Sequence, residues 1–442
     1  MSIIGGYLKE FREDPLKMMC KLNQEQGNVA RFRIGPKNFL AIFDPEMLKE
    51  IMITKSDSFA KGGAFGEVKR LTGEGLVLSE GAFHKRQRRI MLPNFTRSHI
   101  QRYAEQMTAS TEAHISTWKN GDRRELTKDL FEITFDIIAR TMFNFDSSEH
   151  LDRIGKAFDS INRIASEKIR SLVRIPLTIP TAQNKEYVEA LQKLDEVVYT
   201  LIRDRRANPD PASKDLLSVL MAAVDEMDGT GMNDVQLRDE LMTIFLAGHE
   251  TTAHTIAWAF DFMMQHPEVA DKMAAEWKRV LGGRPPQADD YPALTYTQNV
   301  LWETLRLKPA GYLTTRTAIE DVPVGDLILR KGTSMMISPY PLHINARYFP
   351  DPHAFRPERF ENDYVKTLPT MAYFPFGAGP RSCIGNHFAM LEMVLILATI
   401  GQKFKVRPAA DFKPAEFEAL FTLRPKGGIF VNVELRDIPV TV

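Results

Sequence analysis

Cysteine is nearly absent: the 442 residues contain only Cys20 and Cys383. Two thiols cannot build a disulfide framework, a multi-thiolate zinc site or an iron–sulfur cluster. An excess of either charge is also missing, with 57 Lys and Arg against 57 Asp and Glu. Phosphate backbones are bound by clustered excess Lys and Arg, so nucleic acid is not an expected partner. No apolar run approaches the roughly 20 residues of a membrane span. The stretch around Ile3 and Ile4 is too brief for the apolar region of a signal peptide. The expectation is a cytoplasmic protein with no membrane span. The 26 Gly and 26 Pro are dispersed and form no linker, which points to one large domain over 1–442. What is present, 44% hydrophobic and 26% charged residues, suits a globular chain with a sizeable core.

Hydrophobic spacing and turn residues give the elements. Val29 to Ile34 and Asn38 to Phe43, flanking Gly35-Pro36, predict a β-hairpin over 28–43. From Pro45 to about Lys308 apolar positions recur mostly at three and four, which predicts helices through the middle of the chain. One helix starts at a cap, Asn233 with Gln236 three residues on, and stops at His266-Pro267. Its centre, Leu241 to Ala247, is apolar all round, so it should be buried and cross the whole domain. After Pro309, strands are expected at Thr314 to Ala318, Val322 to Leu329 and Ser334 to Ser338. A Pro-rich stretch from Tyr348 to Pro375 precedes an apolar helix from about Asn386 to Gly401 and a last strand at Gly428 to Val433. The fold class expected is mainly α with a smaller β-rich portion, in parts about 28–60, 310–345 and 415–435.

An isolated cysteine is usually a buried, inert thiol, and Cys20 is read that way. Cys383 differs, lying in Phe376-Gly377-Ala378-Gly379-Pro380-Arg381-Ser382-Cys383-Ile384-Gly385 ahead of a helix. Glycines let backbone amides approach the sulfur, the helix points its positive end at it, and Arg381 adds charge; all three favour a thiolate. Screened by Phe376, such a thiolate suits a permanent metal ligand better than a nucleophile that turns over. A cysteine hydrolase lacks support, since no His and Asn arrangement can be tied to Cys383. The loop resembles the Phe-x-x-Gly-x-Arg-x-Cys-x-Gly signature of the cytochrome P450 family of haem-thiolate monooxygenases, matched at Phe376, Gly379, Arg381, Cys383 and Gly385. The resemblance runs from the Asn28 hairpin to the Gly428 strand. It implies the P450 fold, with haem b (iron protoporphyrin IX) between the long central helix and the Cys-bearing loop. Cys383 is then the axial iron ligand, whose electron donation favours O–O cleavage, and Phe376, Gly377 and Gly385 belong to the cofactor-binding loop.

Glu303-Thr304-Leu305-Arg306 sets an acid and a base on one helix face, and such a pair alone is a solvated contact worth at most a few tenths of a kcal/mol. Followed by Pro357-Glu358-Arg359-Phe360 and then Cys383, it has the family's order, which implies a buried network of Glu303, Arg306 and Arg359 bracing the haem loop. Ala247-Gly248-His249-Glu250-Thr251-Thr252 is a polar insert in the apolar helix. Its glycine, which costs about 1 kcal/mol in a helix, admits a close neighbour, and its threonines bond back to i−4 carbonyls; the resemblance implies instead room for dioxygen and a proton relay. The resemblance places Ala247 and Gly248 over the distal haem face, with Thr251 orienting water and Glu250 helping to deliver protons. His249 is not read as a second iron ligand. The intact acid and threonine favour oxygen activation by delivered electrons over use of peroxide.

In the run His84-Lys85-Arg86-Gln87-Arg88-Arg89, the resemblance sends His84 and Arg88 to haem propionates, His84 standing where many relatives have Trp. Arg316 and Arg381 are assigned the same role. Lys85, Arg86 and Arg89 are left on a solvated face that could dock an acidic partner. Only 59 residues follow Cys383, so a separate ferredoxin or flavin reductase-type electron donor is expected. Pocket residues expected by resemblance are Val77 in the Gly75 to Val77 loop, the segment Phe158 to Thr181, Ala247, Thr251, Ala310 and Leu313 after Pro309, and Phe421. They are mostly apolar and suit a hydrophobic small molecule, such as a fatty acid, macrocycle, steroid or terpenoid. Lys168, Arg170 and Arg174 could meet a carboxylate. The reaction expected is O2-dependent hydroxylation or epoxidation. The alternatives are a desaturating, decarboxylating or ring-forming P450 and a non-catalytic haem sensor.

Overall fold

A computed structural model describes residues 6–62, 66–146, 151–170, 175–209, 215–224 and 229–436. The Asn233–Gln236 pair forms a reciprocal capping box, with Gln236 N–H donating to Asn233 Oδ1 at 2.9 Å and Asn233 N–H to Gln236 Oε1 at 3.0 Å. The helix so started runs Asp234–Gln265, about 48 Å at 1.5 Å per residue. Most of it is buried from Leu237 to Met263; apart from Phe262 near its end, the exceptions Leu246, Ala247, Gly248 and Thr251 fall together at its middle. A Cβ at Gly248 would lie 2.7 Å from Ile138 Cδ1, so the glycine lets helix Leu126–Phe143 cross closely.

Around this central helix pack Leu126–Phe143, Thr295–Leu307, Asn386–Lys403 and Ala182–Ala207, with Ala104–Ile115 against Asn386–Lys403 and Leu126–Phe143; their apolar faces form the larger core with Leu130, Phe135, Phe245, Leu301 and Leu395. A smaller core, including Ile42, Leu48, Met335, Ile337 and Phe374, lies under a five-stranded sheet. The sheet order is Val29–Ile34, Lys37–Ile42, Ser334–Ile337, Thr314–Ala318, Phe59–Ala60. Its hairpin pairs Val29 with Ile42 and Ile34 with Lys37 around a turn whose Gly35 has φ +54°, the region a primed hairpin turn demands. Val322 to Leu329 folds back on itself as the hairpin Val322–Val324 and Leu327–Leu329. The last strand, Phe430–Leu435, pairs with Phe404–Pro408 and Arg123–Glu125. Neither partner was expected from the sequence: Arg123–Glu125 is three charged residues, and Phe404–Pro408 alternates only over Phe-Lys-Val-Arg before its proline.

Glu303 and Arg306 are fully buried, not a solvated pair. Arg306 donates to both Glu303 oxygens at 2.6 and 2.8 Å and to the carbonyls of His343, Pro352 and Ala354, so all five of its N–H groups are used. Glu303 also accepts from Arg359 Nε at 3.2 Å and from the Arg356 amide at 2.8 Å. One acid thereby ties helix Thr295–Leu307 to the irregular stretch before the cysteine loop. Glu303→Gln should destabilise the protein by about 3–5 kcal/mol, because it strands buried guanidinium charge. Denaturant unfolding checks this, and a loss under about 1 kcal/mol would remove the bracing role.

Candidate active site

The Cys383 loop closes on itself. Gly377 N–H donates to Phe374 O at 2.9 Å and Cys383 N–H to Phe376 O at 2.8 Å. Gly377 and Gly379 have φ of +69° and +64°, and a Cβ at Gly379 would lie 2.1 Å from Met52 O. Glycine is therefore demanded twice, by conformation and by contact. Phe376 stands edge-on to Trp302 with ring centres 5.8 Å apart. Cys383 is enclosed by protein except where a cavity opens onto its sulfur, and that opening accounts for its exposure. Burial pushes the thiol up, while the Gly385 N–H and the Arg88 charge pull it down. Of the favourable influences expected, a backbone amide, that of Gly385, acts on the thiol, and the nearby positive charge comes from Arg88; burial opposes both. A cation on the sulfur's open side would reverse the balance. Cys20 is a free thiol pushed up to about 12 by burial, in keeping with an inert role.

The opposite wall is the centre of the long helix. Ala247, Gly248, Thr251, Thr252 and Thr255 line the same cavity. Thr251 donates to Ala247 O at 2.7 Å, Thr252 to Gly248 O at 3.0 Å and Thr255 to Thr251 O at 2.8 Å. Each hydroxyl hydrogen is thus committed to an i−4 carbonyl while the oxygen remains able to accept. Neighbours on a helix point about 100° apart, and Glu250 lines a different cleft, with Asn162, His254 and Arg424. It accepts from Thr422 Oγ1 at 2.9 Å and from Asn162 Nδ2. Burial raises its pKa against the pull of Thr422, Arg424 and Asn162. His249 is packed among Phe131, Phe135 and Phe158, its Nδ1 against Phe245 O, and burial lowers it to about 4.

One edge of the cavity is cationic. His84, Arg88, Arg316 and Arg381 all reach it, joined by Lys61, which no sequence signal singled out. Arg88 donates to Ser382 O at 2.9 Å and to its Oγ at 3.2 Å. Arg381 donates to Ser79 O at 2.6 Å and pairs with Glu80. Arg316 is 5% exposed. Among the described residues it donates to two neutral acceptors, Thr315 O at 2.8 Å and Thr314 Oγ1 at 3.3 Å, and forms no ion pair. Burial and mutual repulsion push Lys61 down to about 7, His84 to about 4 and Arg316 to about 10, opposed at Lys61 and Arg316 by Glu80. Glu80 is the carboxylate that counters the charge of this edge at Lys61, Arg316 and Arg381.

The rest of the lining is apolar: Leu76 and Val77, Ile138 and Met142, Ile244, Ala310 and Leu313. Two expected pocket residues are elsewhere: Phe421 packs against the larger core, and Phe158 lines the Glu250 cleft. Lys168 is buried, donating to Asn184 Oδ1 at 2.7 Å, and does not line the cavity. Arg174 lies outside the described residues, and the Arg170 side chain is not among those described. Ile138 and Met142 had no signature of their own, because they sit on a helix that reads as ordinary core.

A sequence model of the family described as cytochrome P450 matches residues 2–432. The chain belongs to the cytochrome P450 family. Its relatives include cyclooctat-9-en-7-ol 5-monooxygenase of Streptomyces melanosporofaciens, 34% identical over 412 residues, covering 92% of this chain and 88% of the relative. Pentalenene oxygenase of Streptomyces avermitilis is 32% identical over 425 residues, covering 95% and 93%. Cyclooctatin synthase of Streptomyces melanosporofaciens is 32% identical over 411 residues, covering 93% and 89%. The chain is thus a P450 monooxygenase with the mainly helical fold of that family. Among the described residues, no helix is long and apolar enough to cross a membrane.

P450s carry haem, and the cavity fits that group. Cys383 lines one wall, small residues line the other, and the cations at one edge suit two propionates. Cys383→Ser should abolish the thiolate-type absorption of the reduced, CO-treated protein, and persistence of that spectrum would exclude Cys383 as the ligand.

Proposed function

We propose that this P450 forms one haem domain and inserts one oxygen atom from O2 into an uncharged, largely hydrocarbon small molecule. The observation that carries this reading is the placement of Cys383 and Thr251 on opposite walls of one cavity with a cationic edge. Cys383 would hold haem b, with His84, Arg88, Arg316 and Arg381 binding its carboxylates, and the group would supply reductive dioxygen cleavage and oxidation of a C–H or C=C bond. Thr251 orients water in the cavity through its free lone pairs. Glu250 keeps a proton more readily than a surface carboxylate and stands at a separate cleft, a route for proton resupply.

A neutral substrate is favoured over a fatty acid because Lys168 is sequestered by Asn184. The relatives' names, an alkene and an alkenol, support the same class. Electrons come from a separate ferredoxin or flavin reductase-type donor. Lys85 and Arg89 are exposed on the helix that carries His84 and Arg88, and the Lys85–Asp57 pair is a surface contact that a partner can displace.

With a surrogate ferredoxin and its reductase, pentalenene should convert the haem spectrum toward high spin and yield a product carrying one atom from labelled O2. Dodecanoic acid should do neither, and tighter binding of the acid would overturn the substrate class. Thr251→Ala should divert electrons into peroxide, while Glu250→Gln should slow turnover on the order of 10²-fold. Full coupling in the first variant, or an unchanged rate in the second, removes that residue from the relay.

A further inference from the structure

Asp239 and Glu240 are adjacent buried acids in the first turns of the central helix, upstream of the residues that line the cavity. Being about 100° apart, they reach different neighbours. Asp239 Oδ2 accepts the Glu74 amide at 2.8 Å, and its Oδ1 accepts Arg238 at 2.9 Å, which in turn pairs with Asp195 at 2.6 Å. Glu240 Oε2 accepts the Leu76 amide at 2.9 Å, and its Oε1 accepts Gln87 Nε2 at 3.1 Å. Gln87 Oε1 accepts Arg86 Nη1 at 3.1 Å, and Arg86 donates onward to Thr230 O at 2.8 Å.

The loop is pressed onto the helix at these points. Gly73 has φ +54°, and a Cβ there would lie 2.1 Å from the Asp239 carboxylate. At Gly75 it would lie 2.0 Å from Thr243 Oγ1. Leu76 and Val77, next in the chain, line the cavity, and Gln87 sits between His84 and Arg88, which do so too. A single carboxylate therefore joins the loop over the cavity to the helix that carries two of its cations.

We propose that Glu240 is a positioning residue that sets substrate specificity: its two oxygens clamp loop 73–77 over the cavity and hold it in register with helix Gly81–Met91. The specificity half of this rests on the cavity being the substrate site; the clamp itself does not. Both partners of Glu240 are donors, so both oxygens must accept. Glutamine offers one acceptor and turns an NH2 group toward a donor. Burial, with Asp239 beside it, pushes Glu240 up to about 7 against the pull of the Leu76 amide and Gln87. The charged groups around it are Asp239 on its own helix, Glu74 in the loop, and Arg86 acting through Gln87, with Arg238 and Asp195 beyond Asp239. Above this pH both oxygens accept; below it one becomes a hydroxyl and one bond is lost. Global stability moves the opposite way, falling as pH rises from the ordinary 4.5 toward 7, because the native state binds the proton more tightly there.

The test uses the haem-loaded full chain and Glu240→Gln. Hydrogen exchange over 73–79, read by mass spectrometry, should speed about tenfold with the remainder unchanged. In the unsubstituted protein the same segment, corrected for intrinsic rates, should exchange faster as pH falls from about 8 to 6, and the variant should lose that response. Affinity for 4-phenylimidazole, a bulky ligand that reaches the loop, should change about tenfold, while imidazole binding should not. If Glu240→Gln fails to load haem, Gln87→Met carries the test: it removes a contact that favours the carboxylate, so the pH midpoint of loop exchange should rise. Unaltered exchange in the variant that folds overturns the clamp. Faster exchange with both imidazoles bound as before overturns the specificity role. Loss of the thiolate spectrum in the unsubstituted protein would sink the cavity assignment, yet the exchange experiment would still judge the clamp.

Discussion

The sulfur of Cys383 sits where ionising it is unfavourable unless something outside the chain helps. Removal from water raises the thiol, and the Gly385 amide and Arg88 recover only part of that cost. A cation bound on the sulfur's open side would complete the balance. The positive φ at Gly377 and Gly379 and the close approach of Gly379 to Met52 hold the sulfur at the cavity wall. Rigidity here matters because a ligand atom must meet its metal without rearrangement.

Two clusters of buried charge show contrasting designs. Around Glu303 every guanidinium N–H of Arg306 has an acceptor within the chain, so the network is complete and serves the fold. At the cavity edge Arg316 is nearly as buried but, among the described residues, finds only neutral acceptors, and burial together with neighbouring cations pushes Lys61 and His84 down. Among the described residues one buried arginine is thus fully paired with a carboxylate and the other is not, and burying a cation without an anion is costly. The same contrast separates structural from functional charge without reference to any relative.

The central helix distributes its residues by rotation. Thr251 and Glu250 are neighbours in sequence, yet one faces the haem cavity and the other a cleft beside Asn162 and Arg424. Asp239 and Glu240 repeat the device about three turns earlier, anchoring a loop and a neighbouring helix. One rigid rod thereby presents side chains to the Cys383 cavity, to the cleft beside Asn162 and to loop 73–77.

Local information sufficed where a residue acts through its chain neighbours. The Asn233 capping box, the Gly35 turn, the buried run Leu241 to Phe245 and the glycines beside Cys383 were all legible, since caps, turns and periodicity are short-range physics. Family resemblance added the pairing of Cys383 with a distant helix. Tertiary structure alone decided the remainder: that Lys61 joins the cationic edge, that Lys168 is tied to Asn184, that Phe421 turns into the core, and that Glu240 grips Leu76 from more than 160 positions away. These depend on which desolvated groups meet after packing, and a polar side chain carries the same letter whether its partner is water, a carbonyl or a buried amide.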